Sequence, residues 1–283
     1  MANLNDSGIV GAARAKPVRN RRSPWAVRGD LSKSTLTVCA ILGFLLPALA
    51  WIIVSSSGWV DAIFLPTLPQ VLLSVAQWAQ DGELLNDIGI SVTRVYLGFA
   101  LSVVVALPLG IMIGALPPVR ALLEPVIDFS RYLPAVAFIP LIMLWVGIDE
   151  SAKIAVIFVG TFSQIVLLIA GDIARVPQAP IEAAKTMGAT NEEVIQHVLI
   201  PAAWPAMLDS LRAMMGLSWT YLVVAELVAA NSGLGFSILK AQRFLQTDKI
   251  FAGILLIGLV GLLTDQAFRW LHRRAFPWHH LRS

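Results

Sequence analysis

The sequence predicts an all-α membrane protein, a polytopic bundle of about six transmembrane helices, and three observations carry that reading. Hydrophobic residues fill 57% of the 283 positions and charged residues only 14%, against roughly a quarter charged in soluble domains. Apolar runs of about 20 residues recur, the length an α-helix needs to cross about 30 Å of hydrocarbon. Lysines and arginines gather at chain ends beside those runs. The net charge of +3 therefore reads as membrane orientation and not as attraction to nucleic acid.

The elements follow in order. Residues 1–34 hold Arg14, Lys16, Arg19, Arg21, Arg22, Arg28 and Lys33 and read as a basic cytoplasmic tail. The apolar run from Leu36 to Val54 is long for a signal-peptide core and is taken as the first span. Further spans fall at 91–115, 124–146, 152–171, 207–230 and 250–270, within a transmembrane domain covering 35–275, and residues 276–283 form a second tail. Six crossings put both termini on one side. With the basic tail inside, Arg120, the segment from Arg175 to Arg212, and Arg269, Arg273, Arg274 and Arg282 are all cytoplasmic. The opposite loop from Ser56 to Ile90 carries Asp61, Asp81, Glu83 and Asp87 and no lysine or arginine. Lys240, Arg243 and Lys249 conflict with this topology, since they fall outside. Within 66–85, Val71, Leu72, Val75, Trp78 and Leu85 recur at near-helical spacing and predict an interfacial helix lying on the membrane.

Helices in lipid pack without a hydrophobic drive, so small residues mark their contacts. Gly110 and Gly114, and Gly253, Gly258 and Gly261, are read as such packing positions. Pro125, Pro134 and Pro140 withdraw amide donors from the third span, which must kink or break there. The single cysteine, Cys39, lies in the first span and excludes an internal disulfide.

The loop 173–206 is too polar to cross lipid but still reads as helix, turn, helix. Pro180 suits a first helical turn, Glu182 its positive end, and Gly188 the left-handed residue that closes it. Thr190 with Glu193 forms a capping box for a second helix, striped by Val194, Ile195 and Val198 and expected to break or kink at Pro201. Glu182, Ala183, Ala184, then Gly188, then Val198, Ile200 and Pro201 match the pattern EAA, three residues, Gly, nine residues, I-x-L-P. The chain thus resembles the permease subunits of bacterial ABC importers, in which this segment is the coupling helix that seats in the ATPase subunit. The phrases LPTLPQVL, SVTRVYLGF, LPAVAFIPLIMLWVGIDESAKI and VVAELVAANSGLGF extend the likeness from Leu65 to His279 and narrow it to the nitrate, sulfonate, taurine and bicarbonate branch.

The resemblance implies a type I ABC importer fold in the bacterial plasma (inner) membrane, with both termini cytoplasmic. It implies two ATPase subunits below, carrying ATP and Mg, a second permease copy as a homodimer, and an external solute-binding protein. It also implies a small solute, with anions of the taurine or sulfonate, nitrate or bicarbonate class favoured. Glu182, Ala183, Ala184, Gly188, Val198, Ile200 and Pro201 then couple to the ATPase. No cofactor, metal site or catalytic residue is expected on this chain, because it holds no GxxxxGK[ST] loop, HExxH pair or GxSxG elbow. The GLG at Gly233–Gly235 reads as a turn. An ion-coupled secondary transporter or channel is the rival class and calls for buried ion ligands and usually an internal repeat.

Charged groups inside a span are costly and face a bundle interior or water. Arg94, Arg131 and Glu226, with Tyr132 and Trp219, are the candidates for a pathway or gate. Arg94 either draws an anion from outside, snorkels to headgroups or pairs with Glu226, whereas Glu226 suits a pair or gate better than anion contact.

Overall fold

The computed structural model describes residues 31–277. The expected basic tail, apart from its last residues, and most of the C-terminal tail, including His279 and His280, lie outside them. The described residues form two compact units that divide after Val54. The first unit contributes α1 (Lys33–Ser56), a helix long and apolar enough to cross a membrane.

In the second unit α2 (Leu68–Gln80) and α3 (Glu83–Ala115) are followed by α4 (Pro117–Ser130) and α5 (Ile139–Val146), which a 3₁₀ turn at Ala135–Phe138 joins. Next come α6 (Glu150–Ala174), the short α7 (Gln178–Thr186) and α8 (Asn191–Val194), then α9 (Ile200–Ala229), α10 (Leu234–Arg243) and α11 (Thr247–Ala275). No strand occurs among the described residues.

The central contact joins α3 to α6. A Cβ on Gly98 would lie 2.7 Å from Ile157, on Gly110 2.8 Å from Ile169, and on Gly114 2.7 Å from Ile173. Missing side chains on α3 thus admit β-branched ones on α6, giving the close approach that dispersion needs in lipid. The offset between partners is constant, so the two helices run parallel. The same register brings Ser102 Oγ to Thr161 Oγ1 at 2.7 Å.

Parallel α3 and α6 decide the number of crossings. The chain leaves α3 at one end and enters α6 at the other, so α4 and α5 together form the return leg, bent by 84°. This is the break expected from the prolines, located at residues 131–134. With α1, α3, α6, α9 and α11, that broken span makes six.

Two sequence expectations change. A Cβ on Gly253 would collide with Ile238 and one on Gly261 would lie 3.8 Å from the Trp219 ring, but a Cβ on Gly258 would meet nothing within 4 Å, so Gly258 is not a packing position within the chain. The interfacial helix α2 does not merely lie on the membrane. Its Val71, Ser74 and Trp78 are buried, and the Lys249 ammonium sits 4.9 Å over the Trp78 ring. That cation–π contact gives Lys249 a place at the end of the bundle where the charge rule alone found a conflict.

At Pro201 the expected break or kink takes a definite form, a π-helical distortion without a stop. Residues 195–199 form a π-helical turn that joins α8 to α9, and 191–228 run as one apolar helix. Pro201 has no amide hydrogen and would crowd the carbonyl four residues back, and a wider turn just before it relieves both problems.

Candidate functional site

Two features stand out, one at each end of the bundle. At the end where α3 and α6 terminate, α7 and α8 form a hairpin outside the apolar spans. Gly188 has φ +89° and closes α7: its amide donates to Lys185 O at 3.0 Å and the Ala189 amide to Ala184 O at 3.0 Å. That pair of bonds is the Schellman motif, in which a residue without Cβ costs least. Thr190 then caps α8. Its amide donates to Glu193 Oε2 at 2.8 Å and its hydroxyl accepts from the Glu193 amide at 3.3 Å.

Packing sorts the hairpin residues into two faces. Ala184, Val194 and Leu199 are buried in the main hydrophobic cluster, with Val198 and Ile200 partly buried against it. Glu182, Ala183, Gly188 and Pro201 are exposed, and Met187 at the tip is 82% exposed. Behind the hairpin lies a cavity of 440 Å³, bounded by Arg120, Ile181, Lys185 and Leu199. The tip is thus small and open while its root is continuous with α9.

At the opposite end the structure brings Arg94 and Glu226 together. Arg94 is 2% exposed and Glu226 0%, and Arg94 Nη1 donates to Glu226 Oε1 at 2.7 Å. A second carboxylate completes the site: Arg94 Nε and Nη2 donate to Glu150 Oε2 and Oε1 at 2.5 and 2.6 Å, a bidentate fork. Glu150 is 59% exposed, also accepts from Lys153 Nζ at 3.1 Å, and faces a groove of 720 Å³.

The remaining bonds tie down the turn between α9 and α10. Ser91 Oγ donates to Glu226 Oε1 at 2.7 Å and accepts from the Leu234 amide at 2.9 Å. Glu226 Oε2 accepts from the Gly235 amide at 2.7 Å, and Arg94 Nη1 donates to Ser232 O at 2.7 Å. Asp87 accepts from the Gly233 amide at 2.9 Å and from Ser237 Oγ at 2.7 Å. Gly233 has φ +110°, and a Cβ there would collide with Glu226 and Arg94. The GLG phrase reads as a turn in the sequence, but only Gly233 lies outside helix: Leu234 and Gly235 open α10, and the phrase is the lid on a largely buried polar network. Such a network is tolerable away from water because its members are bonded.

Sequence reasoning named Arg94 and Glu226 but missed Asp87, Ser91, Glu150, Ser232, Gly233, Gly235 and Ser237. One signal was present: Asp87, Ser91 and Arg94 lie at i, i+4 and i+7, a polar stripe on one face of an apolar helix. Glu150 carried no such pattern. The other candidates lie elsewhere. Trp219 is buried in the main cluster. Arg131 and Tyr132 are exposed at the break between α4 and α5, where Arg131 Nε pairs with Asp128 at 3.0 Å and Nη2 donates to Tyr132 Oη at 3.0 Å.

Apolar spans that carry an open hairpin at one end and a largely buried polar network at the other define a polytopic membrane subunit. Residues 106–277 match the family described as binding-protein-dependent transport system inner membrane component, and the chain belongs to that family. It is 36% identical over 267 residues to the taurine transport system permease protein TauC of Escherichia coli (strain K12), covering 93% of this chain and 96% of that one. It is also 36% identical over 239 residues to a putative aliphatic sulfonates transport permease protein, SsuC, of Bacillus subtilis (strain 168), covering 83% and 87%. The fold is that of a solved MetNI methionine ABC transporter chain in an inward-facing conformation, with a TM-score of 0.63 at 20% identity over 69% of this chain and 97% of that one.

Proposed function

We propose that this permease forms half of the pathway of an ATP-driven importer for a small organic anion of the sulfonate class, and that residues 182–201 couple it to the ATPase. The carrying observation is the hairpin, capped by Gly188 and Thr190, exposed at Met187 and continuous with α9 through the π turn. A rigid element that leaves the lipid is what a soluble motor needs in order to move a span. Small side chains at Ala183 and Gly188 allow a partner to approach, and Glu182 supplies one exposed charge.

In this reading residues 35–275 are the permease domain and 173–206 its cytoplasmic coupling loop, with the tails 1–34 and 276–283 on the same side. Two copies pair, two ATPase subunits holding ATP and Mg dock below, and a solute-binding protein delivers from above. The anion class follows from the taurine and sulfonate relatives. Arg94 and Glu226 act as a structural tie at the outer end, because each is buried and committed to several partners.

The test is co-purification of the full chain with the ATPase subunit, followed by hydrolysis measurements with loaded and empty solute-binding protein in proteoliposomes. Stimulation by the loaded protein is the expected result. Solute transport by the chain without any ATPase refutes the reading.

A further inference from the structure

The break in the third span borders a cavity of 130 Å³. Its wall is mostly apolar, with Leu133, Phe138, Phe158 and Phe162, and Ser163 and Gln164 of α6, Tyr221 of α9, and Ser130 and Arg131 at the end of α4 set polar groups into it. Ser163 is only 6% exposed, and its hydroxyl has no protein partner. Among the described spans, the other buried hydroxyls make hydrogen bonds: Ser91 to Glu226, Ser102 and Thr161 to each other, and Ser218 and Thr264 to carbonyls one turn back. The Ser163 hydroxyl is left to the hollow that it borders.

The other groups fit the same occupant. Arg131 has five N–H donors, of which Asp128 and Tyr132 engage two, leaving donors for a planar or tetrahedral oxyanion. The Gln164 amide and the Tyr221 hydroxyl have no side-chain partner. Tyr221 reaches the cavity because Gly160 has no side chain: a Cβ there would lie 2.6 Å from the ring. The volume approaches the about 150 Å³ that admits a benzene-sized ligand.

We infer that this cavity is a subsite for the head group of a small organic oxyanion in transit, with Arg131 supplying the charge and Ser163, Gln164 and Tyr221 the neutral hydrogen bonds. The inference rests on the importer reading above and adds to it a place and a donor set. Asp128 is the competing internal anion, so its charge sets how tightly a solute is held.

The experiment uses the full chain in nanodiscs with trifluoromethanesulfonate as probe, followed by ¹⁹F saturation transfer and titration. Assembly with the ATPase subunit and thermal midpoint are measured on the same preparations. Saturable binding is expected for the wild-type chain, weakened at least about ten-fold by Arg131→Gln and measurably by Ser163→Ala. Asp128→Asn is expected to tighten it, an effect that a merely structural role for Arg131 does not produce. No saturable binding to the wild-type chain, or equal binding by wild type, Arg131→Gln and Ser163→Ala at unchanged thermal midpoint, overturns the subsite and leaves the importer reading intact. The expected binding pattern in a chain that never assembles with an ATPase supports the subsite and overturns the importer reading.

Discussion

Replacing Arg94 with glutamine tests what holds the end of the bundle opposite the hairpin. The change leaves Glu226, 0% exposed, with only the Ser91 hydroxyl and the Gly235 amide as donors. Removing one partner of a buried ion pair costs about 3–5 kcal/mol. At about 2–4 °C per kcal/mol for a chain of this size, the thermal midpoint falls by about 6–20 °C. Glu226→Gln costs less, because Arg94 keeps its bidentate partner Glu150. The double variant Arg94→Gln/Glu226→Gln removes both charges and recovers about 1–3 kcal/mol relative to the sum of the single changes. Exchanging the two charges, Arg94→Glu/Glu226→Arg, is not a rescue, since the new carboxylate faces Glu150. The assay is thermal unfolding in nanodiscs at fixed scan rate, because the apparent midpoint of a protein that unfolds irreversibly depends on heating rate. Single variants within about 2 °C of wild type, or strictly additive losses, refute the network as a stabilising tie.

Two further changes probe the hairpin and the α3–α6 contact. Gly188→Val forces a β-branched residue into a left-handed conformation at a cost of about 1–2 kcal/mol, in space where a Cβ meets nothing within 4 Å. The midpoint falls by no more than about 2–8 °C while pull-down of the ATPase subunit drops several-fold; equal recovery refutes the role. Gly114→Val meets the Ala170 carbonyl at 2.7 Å and costs about 1–3 kcal/mol or more, whereas Gly258→Val meets nothing, so comparing yields of folded protein checks the register of the parallel pair.

Much of the hairpin between α6 and α9 was legible because its determinants are local. Gly188 needs a backbone conformation that Thr190 and Glu193 then follow with a cap, and all three lie within six residues. The prolines marked the broken span for the same reason. Pro201 marked the distortion but not its form: Val194 and Leu199, on either side of the π turn, are buried in the main cluster, which only tertiary packing supplies.

By itself the sequence determined the apolar spans, the charge asymmetry of the loops and the caps of the hairpin, since each depends on composition or on neighbours within one or two helical turns. Only tertiary structure decided that Arg94 answers to Glu150 as well as Glu226, that α3 and α6 run parallel on a glycine seam, and that Ser163 faces a hollow with no partner. Those facts join residues tens of positions apart, and their energies come from excluding water and lipid at contacts that exist only after the helices have packed.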